Sequence, residues 1–185
     1  MSQLKIAVIV GSLSKQSINR QLAQGLAVLM QDKADFEFID ISRLPVYNRD
    51  FDNTPDFKPF DDLKPLIRGC DGVLFVTPEY NRSIPASLKN VLDGLSRPYG
   101  QSVWAGLPAA VIGSSPGAAA TAMAQQHLRN VLVSLDMPTL PQPEGFVRWS
   151  DTLLDADGKI GQGSHDFLVK YMTRFLDWVQ LHQKR

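Results

Sequence analysis

The chain has 185 residues, with 19 Lys and Arg set against 19 Asp and Glu, a formal net charge of zero, and 44% hydrophobic residues. That size and composition predict one globular domain over residues 1–185 and exclude disordered, collagen-like and metal-stapled chains. The balanced charge also lacks the basic footprint that a sequence-independent nucleic-acid binder needs to displace counterions from phosphates.

The run Leu4–Val10 is apolar and rich in β-branched residues, and it stops at Gly11-Ser12. It reads as a strand buried on both faces, as in a parallel sheet. It is too short for a membrane span of about 20 residues, and the polar segment with Lys15 and Arg20 that follows is unlike a signal peptide. The default expectation is therefore a cytoplasmic protein with neither membrane nor nucleic acid as partner. A helix should begin near Ile18, where Leu22, Leu26 and Leu29 recur at helical spacing and Ser17 suits the N-cap. Residues 36–39 read as the second strand.

From Asp40 to Pro59 the chain is rich in Pro, Asn and Asp, a connection long enough to suggest a functional or oligomer-facing loop. Its Tyr47, Phe51 and Phe57 read as exposed aromatic candidates for an interface. A short helix is expected over residues 63–68. Cys70, the single cysteine, reads as a buried helix-end residue. It permits no intrachain disulfide, no Cys/His cluster has zinc spacing, and a reducing compartment with no metal site is expected.

Residues 73–76 predict the third strand, ended by Pro78, and Leu88, Val91, Leu92 and Leu95 mark the core face of the next helix. Pro85 stands where a first-turn proline is tolerated. Residues 107–113 predict the fourth strand. A helix follows with Leu128, Val131, Leu132 and Leu135 at i, i+3, i+4 and i+7, and a short fifth strand is expected over residues 137–140. Residues 142–163 have little periodicity. The last helix should run from His165, with Leu168, Tyr171, Met172, Phe175 and Val179 on one face. The segment Asp155-Ala156-Asp157-Gly158 misplaces the glycine of a calcium loop and lacks its closing Glu, so it reads as a turn. His127 reads as structural, and His165 and His182 as solvent-facing.

Strands and helices that alternate five times predict an α/β three-layer sandwich, a five-stranded parallel sheet with helices on both faces. Ligands of such sheets sit at the carboxyl edge, at the topological switch point. The loop after the first strand, from Gly11 through Ser12, Ser14, Lys15, Ser17 and Ile18 to Asn19 and Arg20, offers hydroxyls and backbone amides at a helix N-terminus, a setting for a phosphate. It matches neither a Walker A loop nor the dinucleotide fingerprint, so a monophosphate fits it better than a pyrophosphate. The same residues also make an ordinary Ser-capped helix start. Pro78, Glu79, Tyr80, Asn81 and Arg82 follow the third strand and suit a flat heteroaromatic ring, although a tyrosine there can equally cover the sheet end. Ser115, Pro116 and Gly117 follow the fourth strand with small residues that let backbone approach a ligand or simply make a tight turn. In the strand order 2-1-3-4-5 all three loops fall side by side.

Gly11-Ser12-Leu13 through Ser17 to Asn19-Arg20, Pro78-Glu79-Tyr80-Asn81, Ile84-Pro85 and Leu88-Lys89-Asn90 together resemble the NAD(P)H-dependent FMN reductase family, and within it the bacterial quinone and chromate reductases. The resemblance spans nearly the whole chain. It implies a flavodoxin-like fold with FMN held noncovalently, the phosphate in the first loop and the ring against residues 78–82 and 115–117. It implies a hydride from NADPH or NADH to FMN and then two electrons to a quinone, a small-molecule acceptor, with chromate as a further acceptor. No side chain is then required as catalyst. It also implies a homodimer or homotetramer, with Glu144 near the subunit contact. Two departures from the family pattern stand out: Ser14 where an arginine is common, which bears on NADPH against NADH, and Ala118-Ala119-Ala120 where a glycine pair is common. An azo- or nitro-reductase of the same fold and a non-enzymatic, flavodoxin-like electron carrier are the alternative readings, and the neutral charge weighs against an acidic carrier.

Overall fold

The computed structural model describes residues 3–183. Its centre is a five-stranded, fully parallel sheet in the order β2-β1-β3-β4-β5. The strands are β1 (Leu4–Val10), β2 (Ala34–Phe38), β3 (Gly72–Val76), β4 (Ala109–Ser115) and β5 (Gly145–Arg148). The helices are α1 (Ile18–Leu29), α2 (Lys58–Asp61), α3 (Lys64–Arg68), α4 (Ala86–Leu95), α5 (Ala122–Ser134) and α6 (Gln162–His182).

Period-two alternation divides the strand side chains between two cores. Ile6, Val8 and Val10 of β1 face Leu22 and Leu26 of α1 and Leu168, Met172 and Phe175 of α6. Ala7 and Ile9 face the other way, onto Ile67, Leu88, Val91, Leu92, Leu128 and Leu132 of α3, α4 and α5. Each central strand is thus apolar on both sides, which is why β1 and β3 read as unbroken hydrophobic runs. The flavodoxin-like sandwich and its strand order are as expected.

The fifth strand is displaced from its expected place. Residues 137–140 lie beside the start of β4, where Ala109 N donates to Pro138 O and Leu140 N to Ala109 O at 2.9 and 2.8 Å, but they contribute only a single bridge at Thr139. Pro138 and Pro141 cannot donate to a ladder. True pairing resumes at Gly145, opposite Ile112. A Cβ at Gly145 would stand 2.8 Å from the Ile112 Cα, so glycine allows the close approach. β5 alternates buried and exposed residues, the pattern of a half-covered edge strand. It therefore lacks the apolar run that marks the inner strands.

The segment after β2 also departs from expectation. Its aromatics face inward: Phe57 is 1% exposed, Tyr47 and Phe51 are partly buried against the same core, and the rings of Phe57 and Phe60 stack with centroids 5.3 Å apart. They form intrachain core, so they are not the exposed interface aromatics that the sequence suggested. A long polar connection over an open sheet face needs apolar anchors of its own. His182 is likewise less solvent-facing than expected, with its ring 4.1 Å from that of Trp178. α6 begins at Gln162, a few residues earlier than expected. Pro85 occupies the N-cap of α4, and Asp155 Oδ1 accepts from the amides of Asp157 and Lys159, closing the expected turn.

Candidate active site

β1, β3 and β4 are neighbours, and their carboxyl ends release the three loops onto one edge of the sheet. Gly11 N donates to Val76 O and Thr77 N to Ile112 O, both at 2.9 Å, which brings the roots of the loops together. The chain leaves β1 for a helix on one face of the sheet and leaves β3 for a helix on the other. This is the switch point at which open α/β sheets bind ligands.

The first loop is short of internal partners. Ser17 Oγ caps α1 by accepting from Arg20 N at 3.1 Å, and Ser17 N donates to Ser14 O at 3.2 Å. Among the described residues, the amides of Ser12, Leu13, Ser14, Lys15, Gln16, Ile18 and Asn19 have no protein acceptor, nor has the Ser12 hydroxyl a partner. Ser12 and Ser17 are each only 5% exposed, while Ser14 and Lys15 are exposed. Unpaired donors in a semi-enclosed loop at the positive end of a 12-residue helix make an anion cradle. Gly11 seats the loop: a Cβ there would lie 2.9 Å from Pro85 Cγ and 3.3 Å from Leu88 Cδ2, so α4 packs directly on it. Ser87 Oγ donates to Gly11 O at 2.7 Å.

Asn19 is buried, and its amide is spent on β4. It donates to Ser114 O at 2.9 Å and accepts from Ser114 N at 2.8 Å. This paired contact fastens the start of α1 to the end of β4 and so fixes the first loop against the third. Ser114 stands at the head of the third loop in sequence, but its pairing with Asn19, 95 residues away, has no signal there.

The second loop closes on itself. Tyr80 N donates to Ser83 O and Ser83 N to Tyr80 O, at 2.9 and 3.0 Å, with Asn81 at φ 50° and Arg82 at φ 68°. Two central residues of positive φ make a type I′ hairpin turn, for which Asn is suited and Arg is not. Tyr80, at the head of the turn, is half-exposed, while Pro78 is buried. Glu79 turns away, and its Oε2 accepts from Met123 N and Ala124 N of α5, each at 3.1 Å. In the third loop Ser115 is partly buried and Pro116, Gly117, Ala118 and Ala119 are exposed. Ala120 and Thr121 follow at φ 43° and 68°. The run Ala118-Ala119-Ala120 thus ends in a left-handed backbone where glycine would be less strained. Gly113 is required beneath them, since a Cβ there would meet Thr77 O at 2.1 Å.

Other titratable groups stand apart from this edge. Burial pushes the Cys70 thiol up to about 11, far from a reactive thiolate. It borders a cavity of about 490 Å3 with Arg68, Pro108 and His182, at the amino ends of β3 and β4. Tyr171 donates to Val111 O at 2.7 Å, and burial raises its phenol. The edge itself offers amides, hydroxyls and a ring, which suits chemistry carried by a bound cofactor.

A family model described as NADPH-dependent FMN reductase matches residues 4–151. The chain belongs to this family. A 2-hydroxy-1,4-benzoquinone reductase from a Burkholderia species is 47% identical over 96% of this chain and 97% of its own length. A quinone reductase from Pseudomonas putida is 42% identical over 99% of both chains. Among solved structures, the flavoenzyme NAD(P)H:(acceptor) oxidoreductase FerB from Paracoccus denitrificans superposes with a TM-score of 0.92 at 38% identity, covering 98% of this chain and 100% of that one. As an FMN reductase, the chain has a cofactor site to fill, and the first loop fits it. Its unpaired amides and buried serines match the phosphate end of FMN in donor chemistry.

Proposed function

We propose that the chain is an FMN-dependent NAD(P)H oxidoreductase that delivers two electrons to quinones, with chromate as a further acceptor. The observation that carries this reading is the row of unpaired amides over residues 12–16 at the N-terminus of α1, set at the switch point of a family member's sheet. Bound FMN supplies the two-electron exchange between nicotinamide and acceptor. The residues of this chain bind and orient it. Gly11, Ser12, Ser14, Lys15, Ser17, Ile18 and Asn19 form or fix the phosphate cradle, Pro78, Glu79, Tyr80, Asn81 and Arg82 shape one wall of the ring site, and Ser115, Pro116 and Gly117 shape the other.

Lys15 is exposed and Arg20 partly buried near the loop. In our reading they supply the positive charge that Ser14 does not, for FMN and for the incoming nicotinamide nucleotide. Self-association belongs to the same proposal. Val46 and Tyr99, 84% and 90% exposed, are apolar side chains for a second copy to cover; gel filtration at the mass of one chain would remove this part of the reading. Among the described residues no helix is long and apolar enough to cross a membrane, and we place the protein in the cytoplasm.

Rapid anaerobic mixing of the FMN-loaded protein with NADPH or NADH tests the central claim. Loss of the yellow flavin absorbance, followed by its return on adding a benzoquinone, is the expected result. A flavin that binds but stays oxidised would leave an electron carrier instead, and failure to bind FMN would defeat both readings.

A further inference from the structure

Each of the second and third loops holds two consecutive non-glycine residues at positive φ, Asn81 and Arg82 in one, Ala120 and Thr121 in the other. Such backbone persists only where its surroundings over-determine it. One carboxylate joins the two. Glu79 Oε2 accepts from Met123 N and Ala124 N, so it spans from the residue before Tyr80 to the residues just after Thr121. A second tie follows on the far side of the turn, where His127 Nδ1 lies 3.0 Å from Ser83 Oγ. The Tyr80 turn is therefore fastened to α5 at both ends.

α5 itself needs this carboxylate. Its N-cap, Thr121, makes no capping hydrogen bond with its side chain; Thr121 Oγ1 accepts instead from Gln125 Nε2, at 2.9 Å. The cap of the helix is thus supplied from 44 residues away, by the loop that shapes the cofactor crevice. α1 differs, being capped by a neutral local serine with its first amides left open. A negative charge already sits on the positive end of α5, so of these two helix starts only that of α1 remains for an anion.

We propose that Glu79 is a positioning residue: its carboxylate clasps the N-terminus of α5 and so holds the Tyr80 turn and the residue 116–121 loop at the separation that admits the FMN ring. This rests on the reading of the crevice as an FMN site. Glu79→Ala releases both loops; Glu79→Gln keeps an amide oxygen that accepts the same two protons.

The test combines FMN titration, visible circular dichroism at saturating FMN, and amide hydrogen exchange on the apoprotein. For Glu79→Ala we expect FMN affinity to fall 10- to 100-fold, the flavin dichroism to change, and exchange to accelerate at residues 80–83 and 120–124. Glu79→Gln should restore affinity to within about threefold and return the wild-type dichroism. Should Glu79→Ala not fold, Glu79→Asp, one methylene short of both amides, carries the same comparison. Unchanged exchange at both loops overturns the clasp, and faster exchange with unchanged affinity and dichroism overturns its positioning role. A wild-type apoprotein that exchanges slowly at these amides yet binds no FMN defeats the reading of the site, a different failure from either.

Discussion

Residues 11–19 and residues 40–63 are both polar and both follow a strand, and they differ in how their side chains are tied down. The first segment leaves seven backbone amides without a protein acceptor among the described residues. The second also has amides without a protein acceptor, those of Ile41, Val46 and Asn53 among them, but it ties its side chains into a network with α4 and the turn after it. Arg97 donates to Tyr47 OH and Asp52 Oδ2 at 3.0 and 2.7 Å, and Tyr47 OH donates to Asp52 Oδ1 at 3.0 Å. Burial raises the Tyr47 phenol, which keeps it a neutral donor in that triangle. Asn90 on α4 accepts from Tyr47 N and donates to Pro45 O, and Phe57 and Phe60 anchor the remainder. Buried backbone polar groups find partners in nearly every folded protein. A segment whose side chains are tied into an internal network is scaffold, whereas the first loop gathers its open amides at the N-terminus of a 12-residue helix, where an anion from outside fits.

The contrast makes separable predictions. Phe57→Ala should be the most damaging change to the scaffold, lowering stability by about 3–5 kcal/mol in a denaturant titration while leaving FMN affinity within twofold. A collapse of FMN binding in a protein still folded would break the distinction between the two segments. Ser12→Asp should do the reverse, because a carboxylate in the cradle repels the phosphate. We expect roughly 100-fold weaker FMN binding, ~2.7 kcal/mol, with the thermal midpoint of the apoprotein almost unmoved.

Gly94→Ala sharpens the scaffold side. Its Cβ would stand 2.1 Å from Phe60 Cε1, so the ring must shift and the α2 region lifts from α4, costing about 1–3 kcal/mol. Faster amide exchange confined to residues 55–68 would confirm where the damage goes. Ser17→Ala belongs to both functions, and loss of the α1 cap should cost about 1 kcal/mol together with a several-fold loss of FMN affinity. The smallest effect is expected at Asp40, where hydrogen bonds from the Ser42 hydroxyl and amide, and then Arg43 and Arg20, hold the carboxyl below its ordinary value. A depressed folded value means stability present above the unfolded pKa of about 3.9 and lost as pH falls through the folded one. Because Asp40 is exposed, Asp40→Asn should cost under about 0.5 kcal/mol at neutral pH, and the difference from wild type should shrink as pH falls below the unfolded value and vanish below the folded one.

Much of this was legible from residue pattern alone. β1 and β3 announce themselves as apolar runs because both faces are covered, and Ser17 as a cap because a hydroxyl before an amphipathic stretch has one obvious use. β5 was hidden because an edge strand of four residues, half of them exposed, carries too little period to distinguish it from loop. Phe57 and Tyr47 were misplaced for a related reason, since aromatics in a Pro- and Asp-rich stretch look exposed until α4 is seen beneath them. In the site, the loops could be found but not the division of labour inside them. Asn19 and Glu79 are ties between loops, joined to partners 95 and 44 residues away, and nothing local in a sequence reports such distances.

The two outermost strands bear on how this protein behaves when it is crowded or heated. β2 and β5 have five and four residues; β2 carries Asp35 and Glu37, and β5 follows Pro141 and Pro143 and ends in exposed Arg148. Short, charged or proline-flanked edges refuse to extend with strands from other molecules. The segments most prone to form intermolecular sheet, Leu4–Val10 and Gly72–Val76, lie in the interior of the sheet. Aggregation should therefore wait on unfolding, so that turbidity on heating follows the loss of secondary structure and does not precede it. Native copies that associate must then meet through helices and loops, never by continuing the sheet.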